Sequence, residues 1–476
     1  MTTIPALNAD SDIMIKSPNR QVVARPAPLR EGACAAVAWL AMLGGADTAL
    51  AQQPGSPTLT RDEPSADAEA LSSIEEGRTP IEGSYEEWRQ WRLEKRTEAF
   101  KDTKVQFNLR TYYFDRNKFD GTESEAWTIG GWAGLKTGYF FDHLALGVTG
   151  YTSQPLYAPD NKDGTLLLKP GQEQYSVLGE LYGDIRITDE VNVYAGRKEY
   201  DTPYINRNDV RMTPNTFEAY VLQGRTELGE DRGTLKYGFG YFDGIKDRNS
   251  DDFVSMSVDA GATVKRGVVT AGALYQNGKF SFGAIDYYCA DIINIGYVES
   301  KMEFPLGGDW KLRLAAQFSD QCSVGDNLLT GQSFSAYQFG LKAEVPVGHA
   351  LFTAAYTAAG GNANMQSPWS GYPGYSSVQV QDFNREGEDA FLLRAGYEFA
   401  GVEGLSAYVL GVFGTTPSET GQYRQDEYDF NVQWAPPKGC LKGLALRLRY
   451  AIVDQHGGNV DTLTDFRVIC NYTYNF

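Results

Sequence analysis

The sequence contains no apolar run long enough to cross a membrane as a helix. A transmembrane helix needs about 20 consecutive, predominantly apolar residues. Of the 476 residues, 42% are hydrophobic, but polar and charged residues interrupt the apolar segments well before that length. Any part of this protein that spans a membrane is therefore expected to do so without a helix.

Cysteine is also scarce, and its spacing excludes two common small-site architectures. The positions are too wide and irregular for a disulfide framework or a zinc site. Two of them, Cys289 and Cys322, fall near one rim of the predicted strands and form a candidate disulfide. Another, Cys470, is expected to face lipid as a small hydrophobic residue. The five cysteines are Cys34, Cys289, Cys322, Cys440 and Cys470.

Histidine and positive charge are both limited. The three histidines, His143, His349 and His456, fall in predicted turns and loops, and none is paired with a serine in the way that acyl transfer requires. We therefore expect no enzyme, no cofactor and no metal site. With 43 basic and 61 acidic residues, a net charge of −18 and no basic tract, the chain is not expected to bind nucleic acid.

Glycine and aromatic residues are abundant and alternate with polar ones. The chain holds 51 Gly, 29 Tyr and 24 Phe. In the last segment, residues 443–476, Leu446 and Leu448 alternate with arginines, and Phe466 to Phe476 share one face of the final run. A period of two indicates β-strands. Repeated over about 370 residues, it predicts an all-β transmembrane barrel that is apolar toward lipid and polar toward its lumen.

The strand pattern predicts eighteen antiparallel strands, an even number as single-chain bacterial barrels require. Short turns alternate with mostly longer loops, which places both termini on the periplasmic side; the outer connector near 289–290 is unusually short. The predicted strands are 104–115, 126–141, 143–152, 174–187, 190–200, 215–228, 233–243, 263–275, 278–288, 291–304, 309–319, 332–345, 348–358, 389–400, 403–413, 425–436, 443–453 and 464–476.

The region before the barrel divides into two parts. Residues 1–51 contain a short apolar run after three arginines and are predicted to be a signal peptide cleaved before Gln52; a buried core helix is the alternative. Residues 52–103 are predicted to be a periplasmic leader, partly disordered. Within it, 84–100 has helical propensity, and Ser84 and Glu87 could form a capping box. The barrel itself is assigned to residues 104–476.

Inward-facing arginines concentrate near the seam where the first and last strands must meet. Guanidinium groups fixed in a narrow pore attract anions and offer paired donors to carboxylates. The alternative is that these charges only solvate the wall and pair with one another. The arginines predicted to line the lumen are Arg110, Arg394, Arg447, Arg449 and Arg467.

Two further features predict the shape of the pore. Residues 201–218 hold Arg207, Asp209 and Arg211 between prolines, which suggests an inward-folded constriction loop, and the long loop 359–388 is a second candidate. Glu180, Asp184 and Asp429 are predicted to face the lumen as an opposing acidic wall. Basic and acidic walls together would orient a zwitterion.

Three segments resemble the OprD family of outer-membrane porins. They are FKDTKVQFNLRTYYFDRNKFD at 100–120, YAGRKEYDTPYINRNDVRMTPNTFEAYVLQG at 194–224 and SPWSGYPGYSSVQVQDFNREGEDAFLLRAGYEF at 367–399, the last followed by LKGLALRLRYAIVD. The resemblance implies an eighteen-stranded barrel with inward-folded loops and a basic ladder that the five lumen arginines would form. It also implies passive uptake of small carboxylates such as amino acids or aromatic acids. The long leader and the short outer connector depart from the family.

The sequence thus predicts a substrate-selective porin in the outer membrane of a Gram-negative bacterium. Its expected partners are small carboxylate solutes and outer-membrane lipid, with the chain a monomer or a loosely associated trimer. Two alternatives stay open, an export barrel for an anionic polysaccharide and a non-conducting structural or adhesin barrel.

Overall fold

The computed structural model describes residues 85–229, 232–308, 310–457 and 462–475. Within them one closed antiparallel sheet forms an 18-stranded barrel, and a two-residue strand, β8, pairs with the outer end of β7. The strands are β1 Lys104–Asn117, β2 Glu123–Lys136, β3 Leu144–Tyr157, β4 Tyr175–Thr188, β5 Val191–Lys198, β6 Thr216–Glu227, β7 Thr234–Lys246, β8 Val254–Ser255, β9 Val268–Asn277, β10 Phe280–Cys289, β11 Ile293–Gly307, β12 Trp310–Cys322, β13 Ser335–Val347, β14 Ala350–Gly361, β15 Asp389–Glu398, β16 Leu405–Gly414, β17 Arg424–Trp434, β18 Leu444–His456 and β19 Thr462–Asn475.

The barrel closes where β1 pairs with β19, with Arg110 opposite Asn471. This confirms the predicted strand number and the seam between the first and last strands. Three boundaries were wrong by about five residues. The third strand, β3, continues to Tyr157 and does not end at 152. The second strand ends at Lys136 and not at 141, because the chain turns through Phe141 and Asp142, both at positive φ (55° and 64°). The eighth barrel strand, β9, begins at 268 and not at 263, because the preceding residues turn back onto the outer loop.

Side chains alternate across the wall as the period of two predicts. On β1, Phe107 and Leu109 are each 43% exposed on the outer surface, whereas Asn108 and Arg110 are buried on the inner one. An apolar outer face and a polar inner face suit a strand that has lipid on one side and water on the other.

Loops fill one side of the lumen with a packed apolar core. It joins inner-wall residues of β6 to β13 to residues of two inward-folded loops, loop A (199–215) and loop B (362–388). Tyr204 of loop A stacks edge-on against Tyr287 and Tyr372, and Trp369 of loop B is 1% exposed and donates from Nε1 to the Met256 carbonyl. The open passage is therefore displaced toward the opposite wall, where the barrel closes.

Within the described part of the chain, three helical segments accompany the barrel: α1 (Tyr85–Lys101), α2 (Met256–Asp259) and a 3₁₀ turn (Asp160–Lys162). Helix α1 packs on the turn between β2 and β3: the Gly138 N–H donates to the Ala99 carbonyl at 2.9 Å, and Lys95 pairs with Asp142 at 3.2 Å. None of the helices that the structure describes has the length and apolar character to span a membrane. The predicted signal peptide, Ser84 and most of the predicted leader lie outside the described residues.

The candidate disulfide does not form. Neither Cys289 nor Cys322 is part of a disulfide bond in the described residues. Cys289 is buried on the lumenal side, with its neighbour Tyr288 exposed outside, whereas Cys322 shares the outer face with Phe318. Side chains on opposite faces of a sheet cannot meet the geometry of a disulfide.

Candidate functional site

A cavity of about 490 Å³ occupies the lumen beside the barrel seam. Its wall is formed by β1 and β17–β19, and its inner side by loops A and B with a contribution from the outer loop that follows β7. Both loops fold inward, as the sequence predicted. Seven arginines line the cavity: Arg110, Arg116, Arg211, Arg248, Arg447, Arg449 and Arg467.

The Arg110 side chain anchors loop A to the wall. It forms a two-pronged ion pair with Asp209, with Nη1 and Nη2 at 2.6 and 3.0 Å from the carboxylate oxygens. Its Nε donates to Asn471 Oδ1 at 2.7 Å, and Nη1 also donates to the Arg211 carbonyl. Bidentate pairs of this kind fix geometry as well as charge. Most of the donors of Arg110 are therefore already in use.

A second group of guanidiniums surrounds the ring of Phe114. Arg211, Arg467 and Arg116 lie 5.0, 5.1 and 5.3 Å from its centroid. One carboxylate, Asp465, pairs with two of them, with Arg467 at 2.6 Å and Arg116 at 2.7 Å. The Arg211 guanidinium of loop A donates only to backbone carbonyls, those of Thr165 and Val210 among them. Burial, and then the nearby charge of Arg467, hold the pKa of Arg211 well below its usual value.

Arg447 and Arg449 are consecutive inward residues of β18. The Nε of Arg447 donates to Asn431 Oδ1 at 2.6 Å, and its Nη2 has no hydrogen-bond partner among the residues that the structure describes. Arg449 is 4% exposed, and within the same residues neither its Nε nor its Nη2 has a partner. A buried guanidinium with open donors is costly unless an acceptor meets it. Both arginines line the cavity, and their unmatched donors make them candidates for contact with a ligand there.

The other predicted basic residues lie outside this cavity. Arg394 on β15 packs over the Tyr408 ring at 4.1 Å. Arg207 is 52% exposed on the far side of loop A, where it pairs with Glu199 at 3.6 Å and Asp201 at 3.4 Å. Burial, and then the charge of Glu180, raise the pKa of Glu199 to about 7.

The predicted acidic wall is not an opposing, open surface. Asp429 lies on β17, next to the strand that carries Arg449, and accepts from the Gln379 N–H of loop B. Asp184 accepts from Lys136 at 2.7 Å and from Asn192 at 2.6 Å. Glu180 accepts from Thr149 Oγ1 and from the Glu199 N–H. Each of these three carboxylates therefore already accepts hydrogen bonds from residues of the wall or of a loop.

Two lining arginines were missed by sequence reasoning. Arg116 has the same parity as Arg110 on β1, and that alternation would have found it. Arg248 lies in the outer loop after β7, and Asn215 accepts from its backbone N–H while Tyr175 and Thr213 donate to its carbonyl. No pattern in the sequence places that loop over the seam.

A family model described as outer membrane porin, OprD family, matches residues 98–476. This chain belongs to the OprD family of outer-membrane porins. A search of curated proteins found no significant match. Because the family and the closed barrel are those of outer-membrane channels, this OprD-family chain is a porin of a Gram-negative outer membrane.

Solved structures share the barrel at low sequence identity. OpdK of Pseudomonas aeruginosa with vanillate has 21% identity and a TM-score of 0.69. OccK9 (OpdG) of the same species has 23% and 0.71, and a BenF-like porin from Pseudomonas fluorescens Pf-5 has 20% and 0.72. Each comparison covers 79% of this chain and 100% of the other. At this identity the likeness shows the fold alone.

Proposed function

We propose that this porin is a selective diffusion channel for small solutes that carry a carboxylate. The observation that carries the proposal is Arg449, a guanidinium in the cavity wall whose buried Nε and Nη2 have no hydrogen-bond partner among the described residues. With Arg447 one inward position away, it supplies the paired donors that a carboxylate accepts.

Three observations support a narrow and selective passage. Loop A is tied to the wall by the Arg110–Asp209 pair, and loop B by Asp429 and Glu427, so the constriction has a fixed geometry. The apolar core fills the remainder of the outer lumen. The relative solved with vanillate, an aromatic carboxylate, is consistent with this class of solute.

The packed loops also bear on the two alternative functions, polysaccharide export and a non-conducting barrel. A polysaccharide exporter needs a continuous path for a polymer, and the inward loops narrow the lumen to a small cavity. A non-conducting barrel needs no buried arginine with open donors. Both readings are outcomes of the experiment below.

The test is conductance of the purified barrel in planar bilayers under a KCl gradient. We expect steady channels with anion preference, which the double substitution Arg447→Gln with Arg449→Gln reduces toward non-selectivity. The matched control is Lys311→Gln with Arg313→Gln, two inward basic residues at the same spacing on β12 that are both paired with Glu303. If folded barrels carry no current, or if both double variants lose anion preference equally, the proposal is wrong.

A further inference from the structure

We infer that the cavity recognises solutes with two acid groups and that short-chain dicarboxylates are the substrate class it fits. The inference rests on the proposed function, because it names the solutes of the same arginine-lined passage. Three observations support it: the excess of positive charge in the cavity lining, the carboxylates that already accept hydrogen bonds, and the positions of the arginine donors that have no partner among the described residues.

Positive charge exceeds negative charge in the lining of the cavity, among the residues that the structure describes. Seven guanidiniums line the cavity, and two carboxylates, Asp209 and Asp382, line it with them. Three more lie directly behind: Asp465 pairs with Arg467, while Asp429 and Glu427 accept from the backbone of loop B. Charges removed from water need compensation. A dianion compensates more of this excess positive charge than a monocarboxylate does.

The carboxylates of the site are already engaged, which disfavours an amino-acid zwitterion. Asp209 holds Arg110, and Asp382 accepts from Ser377 Oγ at 2.6 Å. Asp465 is shared by two arginines, and Asp429 is 1% exposed and does not line the cavity. A ligand ammonium would meet seven guanidiniums in the cavity lining and two carboxylates, of which Asp209 is paired with Arg110 and Asp382 accepts from a serine hydroxyl. The zwitterion that the sequence suggested is therefore a poorer fit than a dianion.

The open donors are distributed along β18 and do not converge on one point. In the described part of the chain, Arg447 Nη2 and Arg449 Nε and Nη2 have no hydrogen-bond partner. The two residues are one inward step apart, so their Cα atoms are separated by about 7 Å at the usual rise of a strand. One carboxylate can accept the paired N–H donors of one guanidinium. Two carboxylates on a chain of two or three carbons can accept from both guanidiniums, whereas a phosphate presents its charge at a single centre.

The volume of the cavity is compatible with short-chain dicarboxylates. A cavity of about 490 Å³ falls in the range of small-molecule sites, about 300–1,000 Å³, so a four- or five-carbon diacid can enter it with some of its water. A polymer or a large diacid would collide with the anchored loops.

The experiment compares a diacid with its half-amide. Succinate and succinamate have nearly the same shape at neutral pH but carry two charges and one. Single-channel recording measures the residence time of each as a transient block of KCl current, at the same concentration. We expect succinate to remain at least tenfold longer, since a charge-assisted contact contributes on the order of a factor of ten or more. Arg449→Gln should reduce the ratio to within about twofold, and Arg313→Gln should leave it unchanged.

Each other outcome has a distinct meaning. Equal residence of succinate and succinamate, in channels that still select anions, overturns the dicarboxylate inference but leaves the proposed function intact. Longer residence of inorganic phosphate than of succinate also overturns it, because it indicates a single anion centre. Loss of the succinate preference in Arg313→Gln as well as in Arg449→Gln places recognition outside the cavity and contradicts the inference. An absence of conductance overturns the proposed function itself.

Discussion

Arg449 and Arg467 face each other in register across β18 and β19, but their partners differ. Arg467 is ion-paired with Asp465 at 2.6 Å, whereas two nitrogens of Arg449 have no hydrogen-bond partner among the described residues. The same wall thus holds an arginine whose charge is paired within the barrel and an arginine to which we assign solute binding. Facing and spacing along a strand do not distinguish the two roles, whereas the partners do.

Replacing Asp465 should destabilise the barrel strongly. Asp465→Asn leaves Arg467 and Arg116 without their shared carboxylate, and removal of one partner of a buried pair typically costs about 3–5 kcal/mol. Urea unfolding of the reconstituted barrel measures the loss. The control is Glu303→Gln, whose ion pairs with Lys311 and Arg313 are more exposed and should contribute at most about 1 kcal/mol. Equal losses for the two variants would contradict the role given to Asp465.

The Arg110–Asp209 pair is expected to control how firmly loop A is held. Asp209→Asn removes the charge from the two-pronged contact, so loop A should leave the wall more often. We expect more frequent transitions between conductance levels in single-channel records. A suitable control is Glu218→Gln, which breaks the pair with Arg197 on the outer wall, 3.5 Å apart, and should leave the records unchanged. If Asp209→Asn shows no more transitions between conductance levels than the wild type, loop A is held by its apolar core alone.

Sequence alternation predicted the barrel but not the allocation of its charges. Phe107 and Arg110 were assigned to their correct faces, because a strand with lipid on one side leaves a period that a single sequence reveals. The partner of Arg110 lies 99 residues away, and that of Asp429 lies 50 residues away, both in loops without a regular period. Which arginines remain open depends on those long-range contacts, and local patterns do not encode them.

The raised pKa of Glu199 predicts a pH-dependent stability. Its side chain, 26% exposed, lies in loop A near Glu180, Arg207 and Asp209, and burial raises its pKa to about 7. The unfolded chain loses this proton near pH 4.3, so between about pH 4.3 and 7 the folded state holds more protons and stability falls as pH rises. Glu199→Gln removes the titrating group, and with it the fall in stability as pH rises.

The thermal midpoint in detergent, read at pH 4 and pH 8, tests this. The Glu199→Gln variant should melt higher than the wild type at pH 8 and at nearly the same temperature at pH 4. The matched control is Glu173→Gln, an outer-loop residue with a 70% exposed side chain, which should show no such difference. A larger gain at pH 4 than at pH 8 would reverse the sign and contradict the assignment.

Trp369 is expected to hold the apolar core that narrows the lumen. It is fully enclosed by the core, and its Nε1 donates to the Met256 carbonyl at 2.9 Å. Trp369→Ala leaves a large cavity, and truncation of a buried aromatic residue costs about 3–5 kcal/mol. Because Trp369 lies in loop B and not in the wall, the loss should loosen loop B while the barrel stays closed. We therefore expect a higher single-channel conductance and weaker anion preference. The control is Trp310→Ala, which removes a side chain that is 52% exposed on the outer surface and should change neither property. Unaltered conductance in Trp369→Ala would mean that the polar anchors Asp429 and Glu427 are sufficient to keep loop B in place.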